Sequence, residues 1–524
     1  VSAPARPASA EAGRFFSTAP LLAAVLVFAP LLYGGNRPLP MLLLQLAAVA
    51  LLAGTLAAGR LRHHLDLPFL VVLGVLAAVP LLQLVPLPEA AWNALPGRGF
   101  YAETLAAVGA APARRAWSLL PAATEAAWLY LLVPIAVFLA TVTSTEPVLR
   151  RLVLLFVAMA VAQALLGLAQ FGTGSPLVFT PVAGGGTRSA IGTYANYNHL
   201  AGLLEMALPV ALALLVAHLQ RRPGSRPRQH HRSRLRRWIA QWFNGPVSFH
   251  RAALFAAAGV AILLGLVFTR SRTGVTLALV GILLSATMLA RRAGVERGVG
   301  IVAMLAFVGL WLAIEVGLAP VLARFAELDP LTDTRWSIFA GTLAGAGEFF
   351  PFGAGFGTYE DVFRRFQPAN VPYFVTHAHN DYVEWIFEGG LLGLLLPLAF
   401  LALYLRRWPR VWAGERWSEL RFVQVAAGIA LLLLGLHSAT DFNLQIPANA
   451  VYFAFLAGVF FHREAAPAPR TQRAQAVRPA PPATPAASAS ATAPSTPAVA
   501  PTAPVSTPSA PVAEPEPVRN PFAD

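Results

Sequence analysis

Apolar residues along this chain gather into runs close to the ~20 residues that cross ~30 Å of hydrocarbon. The runs fall at 18–36, 39–59, 67–87, 124–145, 148–171, 196–218, 252–269, 273–290, 299–316, 381–404, 421–438 and 446–461, with short polar or arginine-bearing segments between most of them. This pattern predicts an all-α polytopic membrane protein of about twelve transmembrane helices, gathered into one bundle. Two intervening segments are long, 88–123 and 317–380. The second carries helix-like stretches at Asp333–Phe350 and Thr358–Gln367, so a large helical loop is expected there. The domain reading is a tail at 1–17, a transmembrane unit at 18–462 that contains the 317–380 loop, and a tail at 463–524. That last segment is rich in Pro, Ala, Ser and Thr and buries too little apolar surface to offset its ordering entropy, so it is expected to be disordered.

Composition supports this reading. Hydrophobic residues make up 56% of the 524 positions and charged residues 12%, against about 25% charged in ordinary soluble domains. The formal charge is +14, and all 39 basic residues are arginine. With both termini cytoplasmic, 28 arginines fall on the cytoplasmic side and 11 on the far side. The positive-inside rule favours that orientation over its inverse. The basic excess is thus a topology signal, and nucleic acid is not an expected partner. The run at 221–237 reads as a solvated cytoplasmic loop, with contact to anionic lipid as a second reading. No cysteine is present, which excludes disulfides and thiolate metal sites. No small-residue cleavage pattern precedes the first run, so that span is read as retained.

Charges are few in most far-side loops, and those present are informative. They include Arg188, Arg270, Arg272, Arg335, His377, His379, Asp381 and Asp441, all near one water–membrane interface and at span ends rather than at mid-membrane depth. His379 opens the tenth span in Thr376-His377-Ala378-His379-Asn380-Asp381. One reading is a helix cap, with Asn380 or Asp381 accepting backbone N–H bonds. The sharper reading makes one of these histidines a general base, since neutral imidazole takes up a proton near pH ~6.5. His377, His379 and Asp381 also have a possible metal-ligand spacing. Alternate residues diverge at a helix start, however, and no other ligand-rich motif accompanies them, so neither metal nor cofactor is expected. No Asp-x-Asp pair occurs, which also favours metal-independent chemistry. Arginine suits a diphosphate because its planar fork stays charged and donates two hydrogen bonds. Arg270 and Arg272 read either as snorkelling anchors at a helix end or, with Arg188 and Arg335, as an anion site at the membrane surface.

At these residues the sequence resembles the O-antigen ligase family, which shares its core region with O-antigen polymerases. The resemblance spans roughly 20–462. Its specific part comprises Arg188 with Gly192-Thr193-Tyr194-Ala195-Asn196-Tyr197-Asn198, Thr269-Arg270-Ser271-Arg272-Thr273-Gly274, Arg335-Trp336, Phe352-Gly353-Ala354-Gly355-Phe356-Gly357, His379-Asn380 with Gly390-Leu391-Leu392-Gly393 and Pro397, and His437-Ser438-Ala439-Thr440-Asp441-Phe442. Leu394 after Gly393 departs from the Gly-Thr that ligases commonly carry a few residues after the glycine pair. The resemblance implies a GT-C-like glycosyltransferase of the bacterial inner membrane with a periplasmic site. Its donor would be O-antigen polysaccharide on undecaprenyl diphosphate, and its acceptor a sugar hydroxyl on the lipid A core. His379 would act as base in an inverting, metal-independent displacement, with Arg188, Arg272, Arg270 and Arg335 on the diphosphate. His377, Asp381, Asp441, Tyr194 and Asn198 would support the site or bind sugar. The expected enzyme works as a monomer among membrane lipids. A polymerase and a protein O-oligosaccharyltransferase are alternatives, and a transporter or flippase of lipid-linked anions is the rival of another class.

Overall fold

The computed structural model describes residues 18–59, 61–110, 114–175, 189–220, 247–293, 334–414 and 417–463. Arg188, the expected span at 299–316, the first part of the 317–380 loop, the basic run at 221–237 and both tails lie outside the described residues, apart from Arg463.

Helices dominate. The principal ones are α1 (Thr18–Phe28), α2 (Pro38–Ala57), α3 (Leu67–Gln83), α4 (Pro121–Val142), α5 (Glu146–Thr173), α6 (Tyr197–Gln220), α7 (Val247–Thr269), α8 (Arg272–Ala293), α9 (Thr334–Phe349), α10 (Asp381–Trp412), α11 (Glu419–His437) and α12 (Pro447–Phe461). Eight are long and apolar enough to cross a membrane: α2, α4, α5, α6, α7, α8, α10 and α11. The shorter apolar helices α1, α3 and α12 fall where spans were expected. Among the described residues the one sheet is a two-stranded antiparallel pair, β1 (Pro86–Pro88) with β2 (Arg114–Ala116), in the first long loop. Helix α9 and a short helical stretch at Tyr359–Val362 occupy the helix-like segments of the second loop.

Helix α6 is the centre of the bundle. Its apolar window is buried on every side, against α7, α8 and α11. A helix hydrophobic all round has no face to give to water, and this one can sit among other helices. Outer helices instead present apolar faces outward. On α10, Leu391, Leu395, Leu398, Leu401 and Leu405 are 40–58% exposed and share one face at helical spacing. In a protein with these spans that face meets lipid.

Helix α10 runs 32 residues, or ~48 Å at 1.5 Å per residue, longer than ~30 Å of hydrocarbon. It is broken at Gly390, where φ is +57° and ψ −132°. The glycine-rich segment 351–357 repairs the break. Ala354 N donates to Phe387 O and Gly355 N to Glu388 O, both at 2.9 Å, while Leu391 N donates to Pro351 O at 2.9 Å. These are the groups that a helical break leaves without their usual partners. Gln83 adds a bond from Nε2 to Glu388 O and accepts from Phe356 N. The glycine-rich segment is therefore a splint for α10. It needs glycine because the backbones approach so closely. A Cβ on Gly353, at φ +79°, would lie 2.2 Å from Glu388 O.

Gly353→Ala is accordingly expected to lower stability by about 2–4 kcal/mol, combining overpacking with left-handed backbone strain. Gly347 on α9 has open space around it, and Gly347→Ala should be neutral or stabilising by up to ~1 kcal/mol. Thermal unfolding of the two variants in detergent checks this. Equal melting temperatures would refute the splint.

Candidate active site

The site forms where the N-termini of α6, α8, α9 and α10 meet the 438–446 connection between α11 and α12. Sequence places each side chain through local rules. Asn380 caps α10, its Oδ1 accepting from Tyr382 N at 3.0 Å and Val383 N at 3.2 Å. That is the capping reading of the motif, and it leaves the flanking histidines to point elsewhere. Asp381 N donates to Ser438 O, and Leu444 N donates to Asp381 Oδ2. These bonds stitch the start of α10 to the connection. In the α7–α8 turn, Ser271 Oγ accepts from Gly274 N at 3.2 Å as a cap for α8. A Cβ on Gly274 would lie 2.6 Å from Ala201 Cβ, so the turn is pressed against α6, and Arg270 and Arg272 line one cleft with Tyr197 and Asn198.

Asp441 is the meeting point, with 1% of its side chain exposed. Its Oδ1 lies 3.3 Å from His379 Nδ1 and accepts from Phe442 N at 2.9 Å. Its Oδ2 accepts from Asn198 Nδ2 at 2.7 Å and lies 3.8 Å from Arg335 Nη2. His199 Nε2 is 4.0 Å from Oδ1, and Arg335 Nη1 donates to Thr440 O at 2.9 Å. Burial by itself would raise the Asp441 carboxyl, but the His379 hydrogen bond and the nearby Arg335 guanidinium outweigh it and hold the group below the usual carboxylate range. An ionised carboxylate only accepts, so His379 Nδ1 carries the proton and Nε2 is left with its lone pair.

Beside this carboxylate lies a cleft of about 150 Å³ lined by Tyr197, Asn198, Arg270, Ser271, Arg272, Thr273 and Arg335. Three guanidiniums, three hydroxyl side chains and an amide line one space, and among the described residues no carboxylate lines it. Such a surface suits an anion with several oxygens. His379 does not itself line the cleft. It is joined to it through Asp441, whose second oxygen holds the cleft residues Asn198 and Arg335.

Of the residues singled out in the sequence, Arg270, Arg272, Arg335 and Asn198 come together at the cleft, and His379 and Asp441 adjoin it. Tyr194 does not join them. It is fully buried and donates its hydroxyl to Asn449 Oδ1 at 3.2 Å. His377 takes another partner, its Nδ1 lying 2.9 Å from Glu384 Oε1 and its ring stacked on Phe442 at 4.4 Å. Asp381 serves the backbone rather than His379. The three side chains of the HxHxD spacing thus go to three different places, and among the described residues no three His, Asp or Glu side chains form a metal-ligand set.

One expectation is corrected. Ionisable residues were read as confined to span ends, yet Glu205 lies eight residues into α6 and is fully buried. Both its carboxylate oxygens lie 3.0 Å from His437 Nδ1 on α11. A single acid inside an apolar run was the available signal. Its partner could not be read, because the two are 232 positions apart. Glu384, His199 and Tyr197 were also missed. Only Glu384, seven residues after His377, gave a local hint.

The architecture and cleft define a multi-helix membrane protein with an anion-suited site at one end of its bundle. The family model described as O-antigen ligase matches residues 257–398, which carry Arg270, Arg272, Arg335, His377 and His379. The match supports an O-antigen ligase-type family over that segment. No curated protein matches the chain.

The His377–Glu384 pair gives a pH-dependent contribution to stability. Burial by itself lowers the His377 pKa, but the Glu384 charge and hydrogen bond more than reverse it, and the net shift is upward. A raised folded pKa means that the contribution is full below the ordinary histidine value of ~6.5 and is lost as pH rises through the folded value. The difference in melting temperature between wild type and His377→Gln should therefore shrink from about pH 6 to about pH 9. A difference that stays constant or grows would contradict the pairing.

Proposed function

We propose that this protein is an O-antigen ligase that transfers polysaccharide from undecaprenyl diphosphate to a sugar hydroxyl of the lipid A core. The observation that carries the reading is the split use of Asp441. One oxygen orients His379 and the other holds Asn198 and Arg335 at an arginine-lined cleft. A base and an anion site are thereby fixed to the same carboxylate.

The diphosphate is already a good leaving group, so the step needs charge stabilisation more than protonation. Arg270, Arg272 and Arg335 supply it from the cleft, and Arg188 belongs to the same proposed set. His379 Nε2 takes the proton of the acceptor hydroxyl. The hydroxyl oxygen then forms its bond to the anomeric carbon as the bond to the diphosphate oxygen breaks, and the electron pair leaves on the diphosphate. A single displacement of this kind inverts the anomeric centre. Every proton and charge in it is handled by side chains or by the leaving group, so the proposed reaction is metal-independent. In the proposed orientation the site faces the periplasm and both termini are cytoplasmic.

Three variants test the assignment in a ligation assay with purified protein, EDTA present. Loss of a general base typically costs 10²–10⁴-fold, and His379→Ala should fall by about that factor. Arg272→Ala should lose about 10²–10³-fold through weaker charge stabilisation. Asp441→Asn should lose a comparable factor to His379→Ala, because an amide no longer fixes the productive tautomer. Full activity in His379→Ala would sink the base assignment, and a metal requirement in wild type would sink the metal-free step. The acceptor is tested separately by deleting the gene and running a lipopolysaccharide gel. Loss of every O-chain band, with lipid-linked polymer accumulating, supports a ligase. Surviving single-repeat bands would identify a polymerase instead.

A further inference from the structure

At the end of the bundle opposite Asp441, the start of α3, the last turns of α10 and the residue that follows His462 enclose a second recess, of about 40 Å³. A water needs ~10–15 Å³ on this measure, so the space suits one tetrahedral oxyanion. Among the described residues four arginines line it, Arg406, Arg407, Arg410 and Arg463, against one carboxylate, Asp66. Asp66 is already shared. It pairs with Arg463 and lies 3.5 Å from Arg410, and the Arg463 hydrogen bond holds it below its ordinary value despite partial burial. Arg407 is 8% exposed and fixed in place, donating from Nε to Phe460 O at 3.1 Å and from Nη2 to His462 O at 2.5 Å. Its contacts are backbone carbonyls that end α12, not a carboxylate. Arg406 has no ion-pair partner among the described residues.

A bias of arginine toward one side of a membrane accounts for their number. It does not account for arginines from separate chain segments converging on one recess, with one of them desolvated and, among the described residues, one carboxylate between them. The walls settle the kind of ligand. Phe69 and Leu403 line the same recess. Leu65, Pro68 and Phe461 complete these apolar walls beside the arginines.

We propose that this recess is a phosphate-binding site for an anionic phospholipid, with the headgroup phosphate among the four arginines and the start of an acyl chain against the apolar walls of Phe69, Leu403 and Phe461. Basic pockets between transmembrane helices are suited to such headgroups. The phosphate would add negative charge where three helix ends bring these arginines together. The inference does not rest on the ligase reading and holds for any activity at the other end.

The test uses the full chain purified in a neutral detergent, with phosphatidylglycerol, phosphatidylcholine and inorganic phosphate added in separate arms. Bound lipid is read by native mass spectrometry and stability by thermal unfolding. Phosphatidylglycerol should remain bound and raise the melting temperature, while phosphatidylcholine should do so far less. At about 1 kcal/mol per basic residue, each arginine removed should weaken phosphatidylglycerol binding about fivefold, so Arg406→Gln/Arg410→Gln should lose about 25-fold. If that double variant fails to fold, Arg406→Gln alone must still show the fivefold loss. Equal retention of the two lipids, or undiminished binding to the variants, overturns the site. Inorganic phosphate protecting as well as phosphatidylglycerol, with protection lost in the variants, would keep the anion site and overturn the lipid as its occupant.

Discussion

A carboxylate taken out of water costs several kcal/mol unless cations and donors replace its hydration. Asp441 meets that condition with groups drawn from separate elements. Asn198 and His199 come from the start of α6, Arg335 from the start of α9, His379 from the approach to α10, and a backbone N–H from its own connection. Each satisfies one part of the same charge, and none can move far without exposing it. The ion therefore does for this end of the bundle what apolar packing does for its middle. Steric packing between helices leaves rotation and sliding soft, whereas hydrogen bonds to a single buried anion fix both.

The same chemistry recurs around Phe442, whose ring contacts three histidines: His377 at 4.4 Å, His199 at 4.8 Å and His379 at 5.0 Å. His377 faces Glu384, His379 faces Asp441, and His437, on the next helix turn away, faces Glu205, each through Nδ1. Geometry distinguishes these pairs more than composition does. Glu205 and His437 are sealed in the core, at 0% and 1% exposure. Glu384 spends its second oxygen on Ala378 N, closing a local loop before α10. Only Asp441 has its second oxygen on residues that line the arginine cleft. That is why the proposed function assigns the base to His379, the histidine tied through Asp441 to the cleft.

Much of the fold was legible because hydrophobic length is a local property. The run at 196–218 became Tyr197–Gln220, the run at 421–438 became Glu419–His437, and the stretch Asp333–Phe350 became Thr334–Phe349. The residues of the site were partly legible for a related reason, since a charge in an apolar neighbourhood stands out wherever it falls. Pairing was not legible. His379 and Asp441 are 62 positions apart, and Asn198 and Asp441 are 243 apart. Nothing in either segment distinguishes Asp441 from Asp381 as the partner. The role of the glycine-rich segment was not legible either. Its composition speaks of close backbone approach, and without the break at Gly390 there was no way to see what it approached.

Backbone conformation adds a last constraint. Two of the four described non-glycine residues with positive φ sit at this site: Arg270 at +58° in the α7–α8 turn and His379 at +53° before α10. A left-handed conformation costs a residue with a Cβ roughly 1–2 kcal/mol, and it persists only where surrounding contacts enforce it. Both residues stand one or two positions before a helix, and each helix is capped by the residue that follows it, Ser271 and Asn380. The caps hold the helix starts, and the left-handed step then turns the preceding side chain back across the end of the bundle instead of along the helix axis. An ordinary right-handed or extended residue at these points would carry the guanidinium or the imidazole away from Asp441 and the cleft. The strain is thus the local consequence of requiring a helix start and an inward-facing polar group within two residues of each other. It ties the placement of Arg270 and His379 to backbone geometry as much as to their ionic partners.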